Sequence, residues 1–86
     1  MARVEFLRFT DPESFQPVAF RRDLIIGVTC CDAAFLVDKL GFTAHQALQP
    51  SECAASIIWL SNGERGCVAG KWVDVITYVE QGDMMR

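Results

Sequence analysis

The first third of the chain alternates short apolar runs with turn signals, a pattern typical of β-strands. The run VEFLRF at residues 4–9 is rich in β-branched and aromatic side chains and predicts a strand. Asp11-Pro12 then opens a turn, and a short strand is expected at residues 18–20. The run LIIGVTC at residues 24–30 predicts a third, buried strand, because its β-branched content favours a strand over a buried helix.

Helical spacing replaces this pattern after residue 31. Asp32 is expected to be an N-cap, since its carboxylate can accept from the free amides of a first helical turn. Gly41 fits the left-handed position that ends such a helix. Thr43 and Gln46 have the T-x-x-Q spacing of a capping box, which predicts a second, very short helix over residues 43–49. The apolar positions of the first helix recur at helical spacing: Ala33, Leu36, Val37 and Leu40.

A β-hairpin is expected next. Residues 54–60 and 64–69 predict two antiparallel strands, and Asn62-Gly63 is a strong two-residue hairpin signal, because both positions of that turn need positive φ. The register that follows from such a turn pairs four residues of each strand: Leu60 with Arg65, Trp59 with Gly66, Ile58 with Cys67, and Ile57 with Val68. The pair of Ile58 and Cys67 is then expected to face the core.

The last apolar pattern predicts an amphipathic helix. Its stripe follows the spacing i, i+3, i+4, i+7, and Gly82 can end it. The stripe consists of Trp72, Val75, Ile76 and Val79. The β-branched run VDVITYV is also compatible with a strand, but a strand here would place apolar side chains on both faces. The sequence therefore predicts one α+β domain over residues 1–86, a small, mostly antiparallel sheet with an Asn-Gly hairpin and two or three helices packed on one face.

Composition narrows the functional classes. The 86 residues are 51% hydrophobic and 22% charged, which indicates a folded globule. So small a domain has a thin core, and its surplus of apolar side chains favours a protein partner or a homodimer, with VEFLRF as a candidate unpaired edge. A net charge of −3 disfavours binding to nucleic acid. The chain shows no signal peptide and no 18-residue apolar run, so we expect a cytoplasmic protein with reduced cysteines and no membrane contact.

Candidate chemistry is sparse. None of the intervals between the four cysteines has the C-x₂₋₄-C spacing of a zinc site, so these residues are interpreted as small buried hydrophobes without a metal. A dyad of Cys31 and His45 stays open as a nucleophilic site. The nucleotide-binding, hydrolase and metalloprotease motifs are absent, so no enzymatic activity and no cofactor are expected.

Surface residues offer better candidates. Trp59, Trp72 and Tyr78 can serve as interface anchors, although core packing is the preferred interpretation for both tryptophans, whereas Tyr78 can reach solvent. Five residues are candidates for protein contacts: Arg21, Arg22, Glu64, Arg65 and Tyr78.

Three segments resemble a known family. DLIIGV at residues 23–28, IWLSNG at 58–63 and VDVI at 73–76 are similar to the D-L-I run, the L-x-N-G turn and the closing helix of small FlbD-type proteins of bacterial flagellar operons. This resemblance implies a small non-enzymatic cytoplasmic protein that acts through protein contacts. Residues 29–53 have no counterpart in that pattern.

The functional hypothesis that follows is a small non-enzymatic cytoplasmic protein-binding module or regulator. Two alternatives stay open. The first is a phage or mobile-element inhibitor of a host nucleoprotein, similar to anti-CRISPR proteins. The second is a thiol or metal-binding protein that uses Cys30, Cys31, Cys53 and His45.

Overall fold

A computed structural model describes residues 5–81 of the chain. The order of strands and helices within this range agrees with the order predicted from the sequence. These elements are β1 (Phe6–Thr10), β2 (Pro17–Arg21), β3 (Ile25–Cys30), α1 (Ala33–Asp38), α2 (Ala44–Ala47), β4 (Ala55–Leu60), β5 (Arg65–Ala69) and α3 (Trp72–Gln81). Short 3-10 turns at Arg22–Leu24 and Pro50–Glu52 precede β3 and β4. Gly82, expected to end the last helix, lies outside the described residues.

The strands form two antiparallel sheets. β1 and β2 pair as a two-stranded ribbon, whereas β3, β4 and β5 form a second sheet with β4 in the centre. The predicted α+β class is therefore confirmed, with the strands divided between two sheets. The 3-10 turn at Arg22–Leu24 connects the ribbon to β3 of the second sheet. The ribbon also contacts that sheet through β1, which packs near β5.

β4 is apolar on both faces, so both faces of the sheet need helices or strands to cover them. Ile58 and Leu60 belong to a first hydrophobic cluster with the ribbon and α3, whereas Ala55 and Ile57 belong to a second cluster with α1 and α2. Alternate residues of a strand point to opposite faces. α3 and the α1–α2 pair therefore cover opposite faces of the sheet, and the expectation that all helices pack on one face is wrong. Ser56 is fully buried on the α3 face, and its hydroxyl donates to the Gly70 carbonyl at 2.9 Å.

The apolar run at residues 24–30 forms an edge strand rather than a buried one. Among the described residues, β3 pairs with β4 alone, and its register shifts between Ile25 and Gly27. Ile26, at this irregularity, is 69% exposed, and Thr29 is exposed as well. β-branched composition predicted the strand correctly, but it carries no information about which side of a sheet stays uncovered.

The hairpin turn differs from the predicted one by one residue. The amide of Leu60 donates to the Glu64 carbonyl and the amide of Gly63 donates to the Leu60 carbonyl, so the loop has three residues. Of its residues only Gly63 has a positive φ, of 92°. This is a type I turn followed by a left-handed glycine, not a two-residue turn that needs two such positions.

The longer loop shifts every pair of the hairpin, so the predicted register is wrong. Ile58 lies opposite Gly66, and Ile57 lies opposite Cys67. Ile58 and Cys67 consequently belong to different clusters, on opposite faces of the sheet. A slip of one residue has this effect because side chains alternate between faces with a period of two.

The helix predictions hold with one exception. Thr43 and Gln46 form the predicted capping box, in which the Thr43 hydroxyl accepts from the Gln46 amide at 3.1 Å and the Gln46 side chain accepts from the Thr43 amide at 2.8 Å. Residues 72–81 are helical, as favoured over a strand. Asp32 occupies the N-cap position of α1, but its side chain makes no capping hydrogen bond.

A close contact between an aromatic ring and a bare backbone joins the ribbon to the sheet. A Cβ atom at Gly66 would lie 2.5 Å from Cζ of Phe20. Phe20 packs in the first cluster and its ring centroid is 5.9 Å from that of Phe9, so it has little freedom to move away. Glycine at this position therefore allows the ribbon to rest on β5.

We predict that Gly66→Ala lowers the free energy of unfolding by about 1–3 kcal/mol, because the added methyl overpacks the ring. Gly27→Ala is the matched control, since a Cβ there meets no atom within 4 Å. Chemical denaturation of both variants measures the difference. Adding Phe20→Leu to Gly66→Ala should recover part of the loss, and equal stability of the two alanine variants would contradict the contact.

Candidate functional site

The face of the sheet that α1 and α2 cover is left open near the hairpin. The opening is a concavity of about 380 Å³. Its lining includes Thr29, Asp32, Phe35, Trp59, Arg65 and Cys67. The concavity combines aromatic side chains with one cation and one carboxylate. This composition is typical of a site that binds a ligand with both polar and apolar groups.

Trp59 and Arg65 form the centre of this surface. They lie directly opposite each other in the β4–β5 register, and the guanidinium carbon of Arg65 is 5.2 Å from the centroid of the indole ring. The indole N–H donates to the Thr29 hydroxyl at 2.8 Å, which fixes the ring. The guanidinium is attracted to the ring face. Among residues 5–81, no carboxylate forms an ion pair with Arg65.

Asp32 gives the opposite end of the concavity a negative charge. Asp32 lies two residues after Cys30, the end of β3, and Cys30 pairs with Ser56, whereas Arg65 pairs with Trp59. Ser56 and Trp59 are three positions apart on β4, about 10 Å along the strand, and β3 and β5 lie on opposite sides of β4, so Asp32 and Arg65 are further apart than this. The surface therefore has a cation at one end and a carboxylate at the other.

Two thiols meet at the base of the concavity. The Sγ atoms of Cys31 and Cys67 are 3.6 Å apart. Cys67 is half-buried and lines the concavity, whereas Cys31 is only 2% exposed and lies behind it. Cys31 follows β3 and Cys67 lies on β5, so the pair spans the central strand above Ala55 and Ile57.

The two thiols differ in acidity because they differ in surroundings. Cys31 is the more buried thiol, and its neighbours Cys30 and Asp32 oppose its ionisation. Cys31 therefore keeps its proton and acts as the hydrogen-bond donor to the sulfur of Cys67. This hydrogen bond lowers the pKa of Cys67 from its ordinary value of 9.0, although burial opposes the shift. The same hydrogen bond, followed by burial and the nearby negative charges, raises the pKa of Cys31. At rising pH the pair therefore loses its first proton from Cys67.

The set of thiol and metal ligands considered from the sequence does not assemble. Cys53 is buried in the second cluster and donates to the Gln46 carbonyl at 3.4 Å. His45 is exposed on α2 and lines a separate concavity, so Cys31 has Cys67 as its neighbour and not this histidine. Within the described part of the chain, no three histidine, cysteine or acidic side chains form a cluster that could hold a metal ion. The neighbour of Cys31 is instead Cys67. The sequence did not pair these two residues, because the predicted hairpin register placed Cys67 on the opposite face of the sheet.

Three of the residues proposed for protein contacts have structural partners. Arg21 forms an ion pair with Asp23 at 2.7 Å. The Tyr78 ring packs edge-on against Phe9 with centroids 5.2 Å apart, and its hydroxyl accepts from the Arg8 amide at 3.2 Å. Tyr78 therefore packs against the first cluster while its side chain stays partly exposed.

The third of these residues, Arg22, binds the end of α3. Its Nε donates to the Val79 carbonyl at 3.3 Å and its Nη2 donates to the Glu80 carbonyl at 3.0 Å. A cation at this position satisfies carbonyls of the last helical turn and complements the helix dipole. Of the remaining proposed residues, Glu64 is exposed beside the turn and Arg65 belongs to the concavity.

Neither tryptophan is a core residue, contrary to the preferred interpretation of the sequence. Trp59 lines the concavity. Trp72 is 37% exposed at the start of α3, and its indole N–H donates to the Val28 carbonyl of β3 at 3.0 Å. Indole rings combine an apolar body with a polar tip, so each fits at the boundary between core and solvent.

Comparison with known proteins finds no family model that matches the chain, no curated protein with detectable similarity and no similar solved structure. No helix among residues 5–81 has the length and apolar character needed to cross a membrane.

We predict that Arg22→Ala lowers the free energy of unfolding by about 1 kcal/mol, because carbonyls of the last turn of α3 lose a donor. Arg21→Ala is the matched control: it removes the same charge at the adjacent position, where the exposed ion pair with Asp23 contributes little. Denaturant titration of the two variants tests this. Equal losses would show that Arg22 does not stabilise α3.

Proposed function

We propose that this protein is a small non-enzymatic protein-binding module of the cytoplasm, and that the concavity around Trp59 and Arg65 is its recognition surface. The proposal depends on the Trp59 indole, which a hydrogen bond to Thr29 holds in place, and on the Arg65 guanidinium above it. Among residues 5–81, no carboxylate forms an ion pair with this guanidinium. Tryptophan and arginine are the side chains most enriched at the energetic centres of protein interfaces.

The charges of the concavity favour one kind of partner. Arg65 attracts an acidic side chain, the apolar surfaces of Phe35 and Trp59 accommodate an apolar one, and Asp32 attracts a donor or a cation at the other end of the concavity, more than about 10 Å from Arg65. An extended peptide segment advances about 3.3 Å per residue, so more than three residues are needed to reach from one charge to the other. The partner we propose is therefore an extended segment with an acidic residue at one end and a basic residue at the other.

We expect short displayed peptides selected on the whole protein to be enriched in this acidic-to-basic pattern. Arg65→Glu should weaken binding of a selected peptide at least about tenfold, because it places like charges together. Arg21→Glu makes the same charge change outside the concavity and should leave affinity unchanged. Titration by fluorescence, with NMR shifts mapped onto Thr29, Trp59 and Cys67, measures both effects.

Equal weakening by Arg65→Glu and Arg21→Glu would indicate a non-specific effect of charge and would contradict the assigned surface. Shifts confined to another part of the molecule would do the same. Selected peptides without acidic residues would contradict the proposed partner.

A second copy of the chain is a further candidate partner, favoured by the free edge of β3. The edge suggested by the sequence, β1, pairs with β2 and contacts β5, so it is less accessible. Within residues 5–81, β3 pairs with a strand on one side only and carries the exposed Ile26, and the first turn of α3, whose Trp72 indole binds the Val28 carbonyl, adds the exposed Val73. An unpaired apolar edge strand readily pairs with its own copy in an antiparallel dimer.

We expect light scattering at micromolar concentration to give a mass about twice the monomer's 9.6 kDa. Ile26→Lys should shift the mass to that of a monomer, because lysine on an edge opposes pairing. Leu48→Lys is the control, since Leu48 is equally exposed but lies beyond α2. A monomer mass for the unmodified protein would contradict this interface.

A further inference from the structure

The thiol pair at the base of the concavity has no role in the proposed binding function, and its geometry suggests a chemical one. One sulfur is open to the concavity, the other is buried directly behind it, and the two are 3.6 Å apart. A disulfide bond needs about 2.0 Å between sulfurs, so a modest movement of the two side chains closes the gap. An exposed attacking thiol with a resolving thiol behind it is the arrangement required for two-step exchange.

We propose that Cys31 and Cys67 form a thiol–disulfide exchange site for low-molecular-weight disulfides. The Cys67 thiolate attacks one sulfur of the small disulfide, forms a mixed disulfide and releases the first small thiol. The Cys31 thiol then loses its proton to solvent and attacks the Cys67 sulfur, which releases the second small thiol. The net reaction oxidises two protein thiols to one disulfide and reduces one small disulfide to two thiols.

The surroundings of the pair support this order of attack. Cys31 is too buried to meet a disulfide from solvent, so Cys67 reacts first. The hydrogen bond from Cys31 lowers the pKa of Cys67, which raises the fraction of thiolate at neutral pH. The titratable groups that act on the pair all oppose ionisation: Cys30, Asp32, Asp11 and Glu13. The hydrogen bond is therefore the interaction that makes Cys67 the nucleophile.

The concavity also favours a particular disulfide. Arg65 is two residues from Cys67 on the same strand, and both line the concavity. Residues two apart on a strand lie on the same face, about 7 Å apart. A disulfide that carries carboxylates can therefore bind Arg65 while its sulfur meets Cys67. Oxidised glutathione has these groups and is the probe of choice.

The first test needs no substitution. The reduced whole protein is incubated with oxidised glutathione and followed by intact mass and non-reducing peptide mapping. We expect one glutathionyl group on Cys67, followed by its loss and a Cys31–Cys67 cross-link with a mass two hydrogens below that of the reduced protein. Glutathionylation of Cys30 or Cys53 before Cys67 would overturn the proposal, as would a stable adduct on Cys67 that never resolves.

Two variants of Cys31 separate chemistry from packing. Cys31→Ser keeps a hydroxyl donor but has no second thiol, so the reaction should stop at the mixed disulfide on Cys67. Cys31→Ala removes the donor, so the rate of alkylation of Cys67 by iodoacetamide at pH 7 should fall several-fold, with its pH midpoint moved upward. Cys31→Ser should stay close to the unmodified protein. An unchanged Cys67 rate in Cys31→Ala would overturn the role of the hydrogen bond.

Arg65→Ala tests the choice of disulfide. It should slow the reaction with oxidised glutathione several-fold more than the reaction with uncharged hydroxyethyl disulfide. Equal slowing with both would overturn the assignment of Arg65 as the carboxylate-binding residue. None of these measurements involves a protein partner, so they are independent of the proposed binding function.

Discussion

The structure depends on one strand that is buried from both sides. β4 supplies Ile58 and Leu60 to one hydrophobic cluster and Ala55 and Ile57 to the other, and Ala55, Ser56 and Ile58 have no exposed surface. Each residue of this strand is therefore committed to one face. A pairing shifted by one residue would exchange the two sets of side chains and disrupt both clusters at once. The buried Ser56 adds a polar requirement, because its hydroxyl needs the Gly70 carbonyl.

Local sequence signals predicted the helices and strands well, but they did not predict how these elements pair and pack against one another. The capping box of Thr43 and Gln46 is a contact within one turn, so its residues alone specify it. The hairpin was recognised by Asn62-Gly63, but the number of loop residues was not, because the same dipeptide fits a three-residue loop with one left-handed glycine. That single residue decided which side chains share a face.

The candidate site shows the cost of this error most clearly. The sequence placed Trp59 opposite Gly66 and in the core, whereas the structure pairs it with Arg65, so a half-buried indole contacts an exposed guanidinium. With Cys67 on the second face, it meets Cys31, which the sequence grouped with Cys30, Cys53 and His45 but not with Cys67. Spacing rules for metal ligands and dyads did not find this pair, since the two cysteines are 36 residues apart and converge only through the sheet.

The contacts of α3 with the ribbon have a consequence for the order of events during folding. Arg22 reaches carbonyls 57 and 58 residues away, and the Arg8 amide reaches a hydroxyl 70 residues away. The second cluster, by contrast, lies within residues 31–67 and closes shorter loops of the chain. The thiol-bearing side is therefore expected to form first, whereas Phe9 and Phe20 of the ribbon are covered only after α3 has docked from the other end of the chain. Until then these aromatic side chains are open to contacts between molecules, which favour aggregation.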